Sequence, residues 1–209
     1  MSNEFWEKVS KFEIILRRFN AVHSLTNYKN LRAVAEDSVA PFLTSQTSES
    51  ERGNLDFKFE NGKTAEFTLA REVIIDIGSG AGFPAIFIAF LLPECEIHLF
   101  EPAPKKSAFL AYAKSELGLK NVVVHAAKIE ACEKFRADLI TSRAVTRARD
   151  LVALCEWFYD ENTTFLLYKG GEASNEAAEL AADNSNLNYV IKNGAGERKY
   201  LYLKGLKCC

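Results

Sequence analysis

The chain has 209 residues, of which 48% are hydrophobic and 26% charged, and its formal net charge is −2 at pH 7. This length and composition allow a sizeable buried core and exclude a disordered chain, and the slightly acidic total gives no general attraction to nucleic acid. Because no apolar run reaches the length of a membrane span and the first residues lack the order of a signal peptide, we expect a cytoplasmic protein without a membrane partner.

The first fifty residues have the pattern of a helical cap. Apolar and aromatic residues recur at helical spacing from Phe5 to Phe19, and a weaker helical pattern runs from Leu31 to about Leu43. An aromatic stripe of this kind is typical of core packing, so we expect it to pack against the main sheet. The polar segment 45–53 has no periodicity and is interpreted as a linker, which makes residues 1–52 a cap with its linker.

A short hairpin is predicted next. Residues 55–59 and 65–69 alternate between apolar and polar side chains on either side of Asn61-Gly62, the strongest short-range hairpin signal. We therefore assign residues 53–70 to an accessory β-hairpin and residues 71–209 to the main domain.

The main domain opens with a strand, a glycine-rich turn and a helix, within residues 73–84. The glycines fall as G-x-G-x-G, with Asp76 two residues before the first, instead of the dinucleotide pattern G-x-G-x-x-G. This form resembles the first motif of S-adenosylmethionine-dependent methyltransferases, in which the turn packs around an amino-acid moiety and a ribose. The glycines alone favour methyl transfer but leave hydride transfer open.

The next strand, 96–100, ends at Glu101, about twenty residues after the glycine turn. A carboxylate at this strand end accepts the ribose hydroxyls of either cofactor class, so Glu101 supports an adenosine ligand. The alternative is a solvated acid at a strand end.

Strands and helices then alternate, which predicts a mostly parallel α/β sheet with helices on both faces. The predicted strands are 73–77, 96–100, 121–125, 138–142 and 163–168, with helices from Pro84, over 105–117, from Asp150 and over 174–182. Two further strands, 189–192 and 199–203, flank the turn 193–196 and are expected to close the sheet with an antiparallel hairpin. Methyltransferases have this arrangement and dehydrogenases do not.

Three arginines, Arg143, Arg147 and Arg149, lie close together after the fourth strand with no acid among them. They form either a basic rim beside the cofactor crevice or a solvated helix start. His98 and His125 lie within strand patterns and are interpreted as packed residues. Five cysteines, an odd number without a Cys-X-X-Cys pair, argue against a structural zinc site, and we expect no metal.

Several short pieces in a fixed order carry a family resemblance over roughly residues 15–205. They are the turn 76–84, Lys105-Lys106 with Phe109-Leu110, 116–119 with Asn121-Val122, Ser142-Arg143-Ala144, Lys169-Gly170-Gly171 and Glu197-Arg198. In this order they resemble the ribosomal RNA small subunit methyltransferase G family, also called glucose-inhibited division protein B. Members of that family methylate N7 of one guanine in 16S ribosomal RNA.

The resemblance implies a Rossmann-like class I methyltransferase that uses S-adenosylmethionine, acts as a monomer and has 16S ribosomal RNA or the small ribosomal subunit as its partner. The implied cofactor-binding residues are Asp76, Gly78, Ser79, Gly80, Gly82, Phe83, Glu101, Ile129, Glu130 and Arg143. The implied RNA-binding residues are Lys128, Arg147, Lys169 and Arg198. Where relatives carry arginine this chain has Lys128, and Glu101-Pro102 replaces Asp-Ser.

Arg143 is the leading catalytic candidate. Guanine N7 carries a lone pair and no proton, so it needs orientation more than a general base. A guanidinium matches the guanine edge and can donate to O6. Two alternatives remain at this point: a class I methyltransferase or nicotinamide oxidoreductase with another substrate, and a non-catalytic RNA-binding assembly factor.

Overall fold

The computed structural model describes residues 1–43, 54–58, 64–68 and 71–207. Its helices are α1 (Asn3–His23), α2 (Leu31–Val39), α3 (Ala85–Leu91), α4 (Pro104–Glu116), α5 (Ala148–Leu154) and α6 (Ala173–Asp183). Its strands are β1 (Asn54–Lys58), β2 (Thr64–Thr68), β3 (Val73–Ile77), β4 (Glu96–Phe100), β5 (Val122–His125), β6 (Leu139–Arg143), β7 (Thr164–Lys169), β8 (Asn188–Asn193) and β9 (Lys199–Lys204). Within the described ranges, none of the helices has the length and apolar character needed to cross a membrane.

The predicted hairpin strands are present. β1 pairs with β2 in antiparallel register, from Asn54 opposite Thr68 to Lys58 opposite Thr64, one residue earlier than the alternation suggested. The expected Asn61-Gly62 turn and the expected linker lie outside the described residues.

Seven strands form the main sheet in the order β5-β4-β3-β6-β7-β9-β8. The strands from β3 to β7 pair in parallel, whereas β9 is antiparallel to both β7 and β8. This confirms the predicted fold class, a mostly parallel sheet closed by an antiparallel hairpin. The chain runs outward from β3 to β5 and then returns to β6 on the other side of β3, so the strand order reverses between β3 and β6. Ligands of open α/β sheets bind at such a reversal, outside the carboxyl ends of the strands.

Helices cover both faces of the sheet, as predicted. The buried core on one face comes from α1 to α4, and the core on the other face from α5 and α6. Both faces of the central strands are therefore buried, which explains why successive residues of β3 and β7 are buried instead of alternate ones.

The N-terminal helix α1 begins at Asn3, where the hydroxyl of Ser2 accepts a hydrogen bond from the N–H of Phe5. Its buried stripe centres on Phe12, whose ring lies 5.7 Å from that of Phe87 on α3 and 6.1 Å from that of Phe109 on α4. The stripe is core, as expected. Its ring contacts include those with the helices that cover the sheet, and its residues share one buried cluster with the sheet residues Ile74, Ile97 and Val122, which agrees with the expected packing.

Two element boundaries matter for the site. β6 extends one residue beyond the predicted strand, so Arg143 is its last residue, and α5 begins at Ala148, two residues early. Helix α4 ends at Glu116, one residue before the predicted end, and is capped by Gly118, which has φ +63°. The N–H of Leu119 there donates to the carbonyl of Lys114 at 3.0 Å, the geometry of a Schellman cap.

The C-terminal end of α2 is held by two tyrosines of the sheet. The hydroxyl of Tyr168 on β7 donates to the carbonyl of Ser38, and that of Tyr200 on β9 donates to the carbonyl of Asp37 at 3.2 Å. Carbonyls in the last turn of a helix have no partner inside the helix, so these hydroxyls satisfy groups that would otherwise be unpaired. They fix α2 beside the carboxyl ends of the central strands.

Candidate active site

A cleft of about 570 Å³ opens at the carboxyl ends of β3, β4 and β6, where the strand order reverses. The structure brings nine of the predicted site residues to its lining. They are Gly78, Ser79, Gly80, Phe83, Glu101, Lys128, Ile129, Glu130 and Arg143. Asp76, Gly82, Arg147, Lys169 and Arg198 do not line the cleft.

The glycine turn forms one wall of the cleft. Gly78 and Gly80 both have positive φ, +69° and +59°, a conformation that residues with a Cβ rarely adopt. A Cβ on Gly78 would lie 2.5 Å from Cγ2 of Val145, whereas the nearest atom to a Cβ on Gly80 would be the Gly78 carbonyl oxygen at 3.8 Å. The turn therefore exposes backbone to the cleft at Gly80. Gly82 instead faces Ile86, 2.6 Å from the position of a Cβ, and serves the packing of the turn on α3.

Glu101 lies opposite the turn and is 95% buried, with 5% of its surface exposed. Its Oε2 accepts a hydrogen bond from the Gly80 N–H at 2.8 Å, and its Oε1 accepts one from the Ala103 N–H at 2.9 Å. A carboxylate has about four acceptor positions, so each oxygen keeps capacity for one further donor. The buried position and these partners argue against the solvated-acid alternative and fit two ribose hydroxyls.

Glu101→Gln is expected to weaken S-adenosylmethionine binding by about 1–3 kcal/mol, because it removes a charged acceptor facing the cleft. Isothermal titration calorimetry measures this directly. Glu116→Gln, at an exposed acid on α4, is the matched control and should bind as the unmodified protein does. An unchanged affinity for Glu101→Gln would remove this carboxylate from the cofactor site.

Asp76 lies beneath the turn and is completely buried. Its Oδ1 accepts a hydrogen bond from the hydroxyl of Thr141 at 2.8 Å, but its Oδ2 has no hydrogen-bond partner in the described part of the chain. Burial raises the pKa of Asp76 to about 7, against the opposing effect of hydrogen bonds from Ser79 and Thr141. A buried carboxylate oxygen without a donor suits a nearby cation, and the ammonium of an amino-acid moiety is such a group.

Arg143 closes the cleft from the β6 side. Burial lowers the pKa of its guanidinium, although an arginine stays charged at neutral pH. Its Nη1 lies 3.3 Å from Oδ2 of Asp37 but is not aligned for a hydrogen bond, and it finds no acceptor among the described residues. An unsatisfied buried donor costs about 1–3 kcal/mol. The next residue, Ala144, has φ +55°, so the strand ends in a strained left-handed turn beside the cleft.

The segment after β5 supplies Lys128, Ile129 and Glu130. Ile129 is buried in a 3-10 turn, Ile129–Ala131, which the sequence patterns did not predict. Lys128 is exposed at the cleft, and no ion pair holds its side chain within the described ranges. It is the one cation of the predicted RNA-binding set that lines the cleft.

The expected basic rim is largely neutralised. Arg147 pairs with Glu179 at 2.7 Å, and Arg149 pairs with Asp183. Both acids lie on α6, about thirty residues further along the chain, so the local sequence gave no sign of them. These pairs favour the alternative of a solvated helix start, and the contact of Arg147 with RNA stays a prediction.

The other two cations of the predicted RNA-binding set are also paired. Lys169 is 2.7 Å from Glu176 on α6, and the Nε of Arg198 is 3.2 Å from Asp37. Both line a shallower depression of about 360 Å³ next to the cleft. Their contact with RNA phosphates stays a prediction.

Some cleft residues were not among the predicted ones. They are Leu25, Thr26, Ile77, Ala81, Phe100, Pro102, Lys106, Ala127, Ala144, Val145 and Leu154. Leu25 and Thr26 lie in the loop between α1 and α2, which Asn20 holds through two hydrogen bonds of 2.9 Å to the backbone of Thr26. The available signal was weak, because Ser24-Leu25-Thr26 departs from the Asn-Leu-Thr that relatives in the resembled family carry at this place. His98 and His125 lie away from the cleft lining, stacked at a ring distance of 5.1 Å.

The comparisons with known proteins agree with the family resemblance of the sequence. A family model described as rRNA small subunit methyltransferase G matches residues 62–198. The sequence is 48% identical over 208 residues to the ribosomal RNA small subunit methyltransferase G of Campylobacter fetus subsp. fetus, covering 100% of this chain and 99% of that protein.

Two solved structures share the fold. A ribosomal protein L11 methylase from Lactobacillus delbrueckii subsp. bulgaricus superposes with a TM-score of 0.58 at 10% identity, covering 85% of this chain and 80% of that one. A precorrin-6y C5,15-methyltransferase from Geobacter metallireducens gives 0.53 at 14% identity, covering 89% and 92%. At such low identity these likenesses show the fold alone, and they confirm the class I methyltransferase architecture.

Proposed function

The chain belongs to the rRNA small subunit methyltransferase G family, which makes it an S-adenosylmethionine-dependent rRNA methyltransferase, and we propose that it methylates N7 of one guanine in 16S ribosomal RNA. The observation that carries the proposal is the position of Arg143, which lines the edge of the cleft with 21% of its side chain exposed, while its buried Nη1 lies 3.3 Å from Asp37 without a hydrogen bond. A guanine O6 is an acceptor of matching chemistry.

The cleft residues fit the cofactor. Glu101 has acceptor capacity left for ribose hydroxyls, and the backbone at Gly80 is open to the cleft. The unpartnered Oδ2 of Asp76 suits the ammonium group. S-adenosylmethionine supplies an electrophilic methyl carbon on a sulfonium sulfur. We propose that Glu101 and the backbone at Gly80 would hold it from the cleft, and that Asp76, buried beneath the turn, would act on the ammonium group through water or the backbone of the turn.

The chain's own contribution to the chemistry is orientation. The lone pair of guanine N7 forms the new N–C bond as the C–S bond breaks, and no proton is transferred, so no general base is required. Arg143 donates to O6 and holds the base in line. Correct alignment of two bound reactants contributes several kcal/mol to such a step.

Mapping of N7-methylguanine in 16S ribosomal RNA from cells with and without the gene tests the proposal. One methylated guanine should disappear with the gene and return when the purified protein and S-adenosylmethionine are added to small subunits from the deletion strain. An unchanged map would overturn the proposed substrate. If the effect of the gene on small subunits required the protein but not its binding of the cofactor, the assembly-factor alternative would be favoured. Binding of NAD in calorimetry would favour the oxidoreductase.

Lys128→Ala is expected to weaken RNA binding and to reduce the magnitude of its salt-dependence slope by about one unit or less, because Lys128 offers an unpaired charge to a phosphate. Lys169→Ala and Arg198→Ala should change the slope less, since both cations are already paired. The measurement is a salt titration of small-subunit binding. Lys120→Ala, an exposed lysine at the other end of β5, is the control, and an equal effect of Lys120→Ala and Lys128→Ala would contradict the assignment.

The proposed substrate implies a cytoplasmic protein, and we propose that it works as a monomer. Size-exclusion chromatography with light scattering tests the oligomeric state, and a stable dimer would contradict it.

A further inference from the structure

We infer that Asp37 is a positioning residue for the Arg143 guanidinium, holding it by charge while leaving its N–H donors to the guanine. The inference rests on the proposed function, because it concerns the arginine assigned to that substrate. Asp37 is on α2, outside the methyltransferase sheet, and 14% of its side chain is exposed.

The hydrogen bonds of the Asp37 carboxylate go to other residues. Its Oδ1 lies 2.9 Å from the hydroxyl of Tyr200, whose one proton it shares with the Asp37 carbonyl, and the Nε of Arg198 lies 3.2 Å from both oxygens. Nη1 of Arg143 is 3.3 Å from Oδ2 without hydrogen-bond alignment. Asp37 therefore attracts Arg143 as an ion and does not use up its donors.

The carboxylate is itself held firmly. The backbone carbonyls of Asp37 and Ser38 accept hydrogen bonds from Tyr200 and Tyr168, which fixes the end of α2. Arg198 also donates from Nη1 to the carbonyl of Lys169, the last residue of β7, at 3.2 Å. This bond holds the Arg198 guanidinium, and with it the paired Asp37 carboxylate, beside the sheet. A fixed negative charge is what a positioning role requires.

The negative charge of Asp37 is needed to keep two neighbouring arginines close together. Its carboxylate is the negative group shared by two neighbouring guanidiniums, those of Arg143 and Arg198. Without it the two cations would repel each other in a partly buried place, and Arg143, which has the weaker bonds, would move. The N–H groups that Arg143 offers to the guanine would then be out of position.

The test is single-turnover methylation of small subunits at saturating S-adenosylmethionine and RNA. Asp37→Asn should lower the rate about 10- to 100-fold, the order expected for a misplaced reactant, with unchanged cofactor affinity. Glu36→Gln is the matched control, since its carboxylate is on the same helix, faces solvent and pairs with Arg32. It should react at the normal rate.

A double-mutant comparison separates positioning from general destabilisation. Asp37→Asn combined with Arg143→Ala should be no slower than Arg143→Ala alone, because Asp37 acts through Arg143. If Asp37→Asn does not fold, Asp37→Glu takes its place. It keeps the charge at a longer reach, and it should slow transfer several-fold in the normal background and not at all beside Arg143→Ala.

Two results would overturn the inference: a normal rate for the Asp37 variant that is used, or effects of the Asp37 and Arg143 substitutions that multiply. Either result leaves the proposed function intact, because the unmodified protein would still methylate its guanine. Conversely, an unmodified protein that methylates no guanine N7 overturns the proposed function itself.

Discussion

Replacing Arg143 with alanine is expected to lower the single-turnover rate of methyl transfer about 100-fold or more, with little change in S-adenosylmethionine affinity. A loss of this size corresponds to about 2.7 kcal/mol of transition-state stabilisation, the order expected when a reacting base is no longer held in line. Rapid quenching at saturating RNA and cofactor measures the rate, and calorimetry measures the affinity.

Two further variants sharpen this test. Arg143→Lys keeps the charge but loses the planar fork, so it should recover only part of the rate. Arg149→Ala, an exposed arginine of the same segment that pairs with Asp183, is the control and should react normally. If Arg143→Ala turned over at the normal rate with both substrates saturating, the catalytic contact would have to be sought elsewhere in the cleft.

Gly80→Arg is expected to abolish S-adenosylmethionine binding while the protein stays folded. The direction of a Cβ at Gly80 is open towards the cleft, so the new side chain fills the space of the ligand without striking the core. The positive φ of +59° costs an L-residue about 1–2 kcal/mol, which corresponds to a melting temperature lower by about 2–8 °C.

Gly118→Arg provides a matched control for Gly80→Arg. Gly118 has a similar φ of +63° and open space around its Cβ position, but it is at the end of α4 and does not line the cleft. It should lose similar stability and bind the cofactor normally. Calorimetric binding by Gly80→Arg with normal affinity would remove the glycine turn from the cofactor site. Gly78 is the less informative position, because a Cβ there would also displace Val145.

Much of the fold could be predicted because its signals are local. The apolar runs of β3 and β7 indicate strands buried on both faces, and Gly118 marks the end of α4 through its own backbone preference. The alternation of elements then limits the topology to a few parallel arrangements. The glycine turn and Glu101 could be placed in one cleft for the same reason, since both follow strands whose carboxyl ends share an edge.

The surroundings of the basic residues could not be predicted in this way. Arg147 and Lys169 pair with acids of α6, and Arg143 and Arg198 share Asp37 of α2, which is more than one hundred residues away from either. Such pairs depend on how helices pack across the sheet, and periodicity carries no information about them. A cluster of cations in the sequence is therefore a weak guide to the charge that the folded surface presents.

The tyrosine-held end of α2 also has a consequence for the order of folding. Gly80 and Glu101 are 21 residues apart in the chain, whereas Asp37 and Arg198 are 161 apart. Closing the longer loop costs about 2 kcal/mol more chain entropy, so the contacts of α2 with β9 are expected to form late. The half of the cleft assigned to the nucleoside is therefore built from contacts that close short loops, whereas the position of its arginine depends on a contact that closes a much longer one.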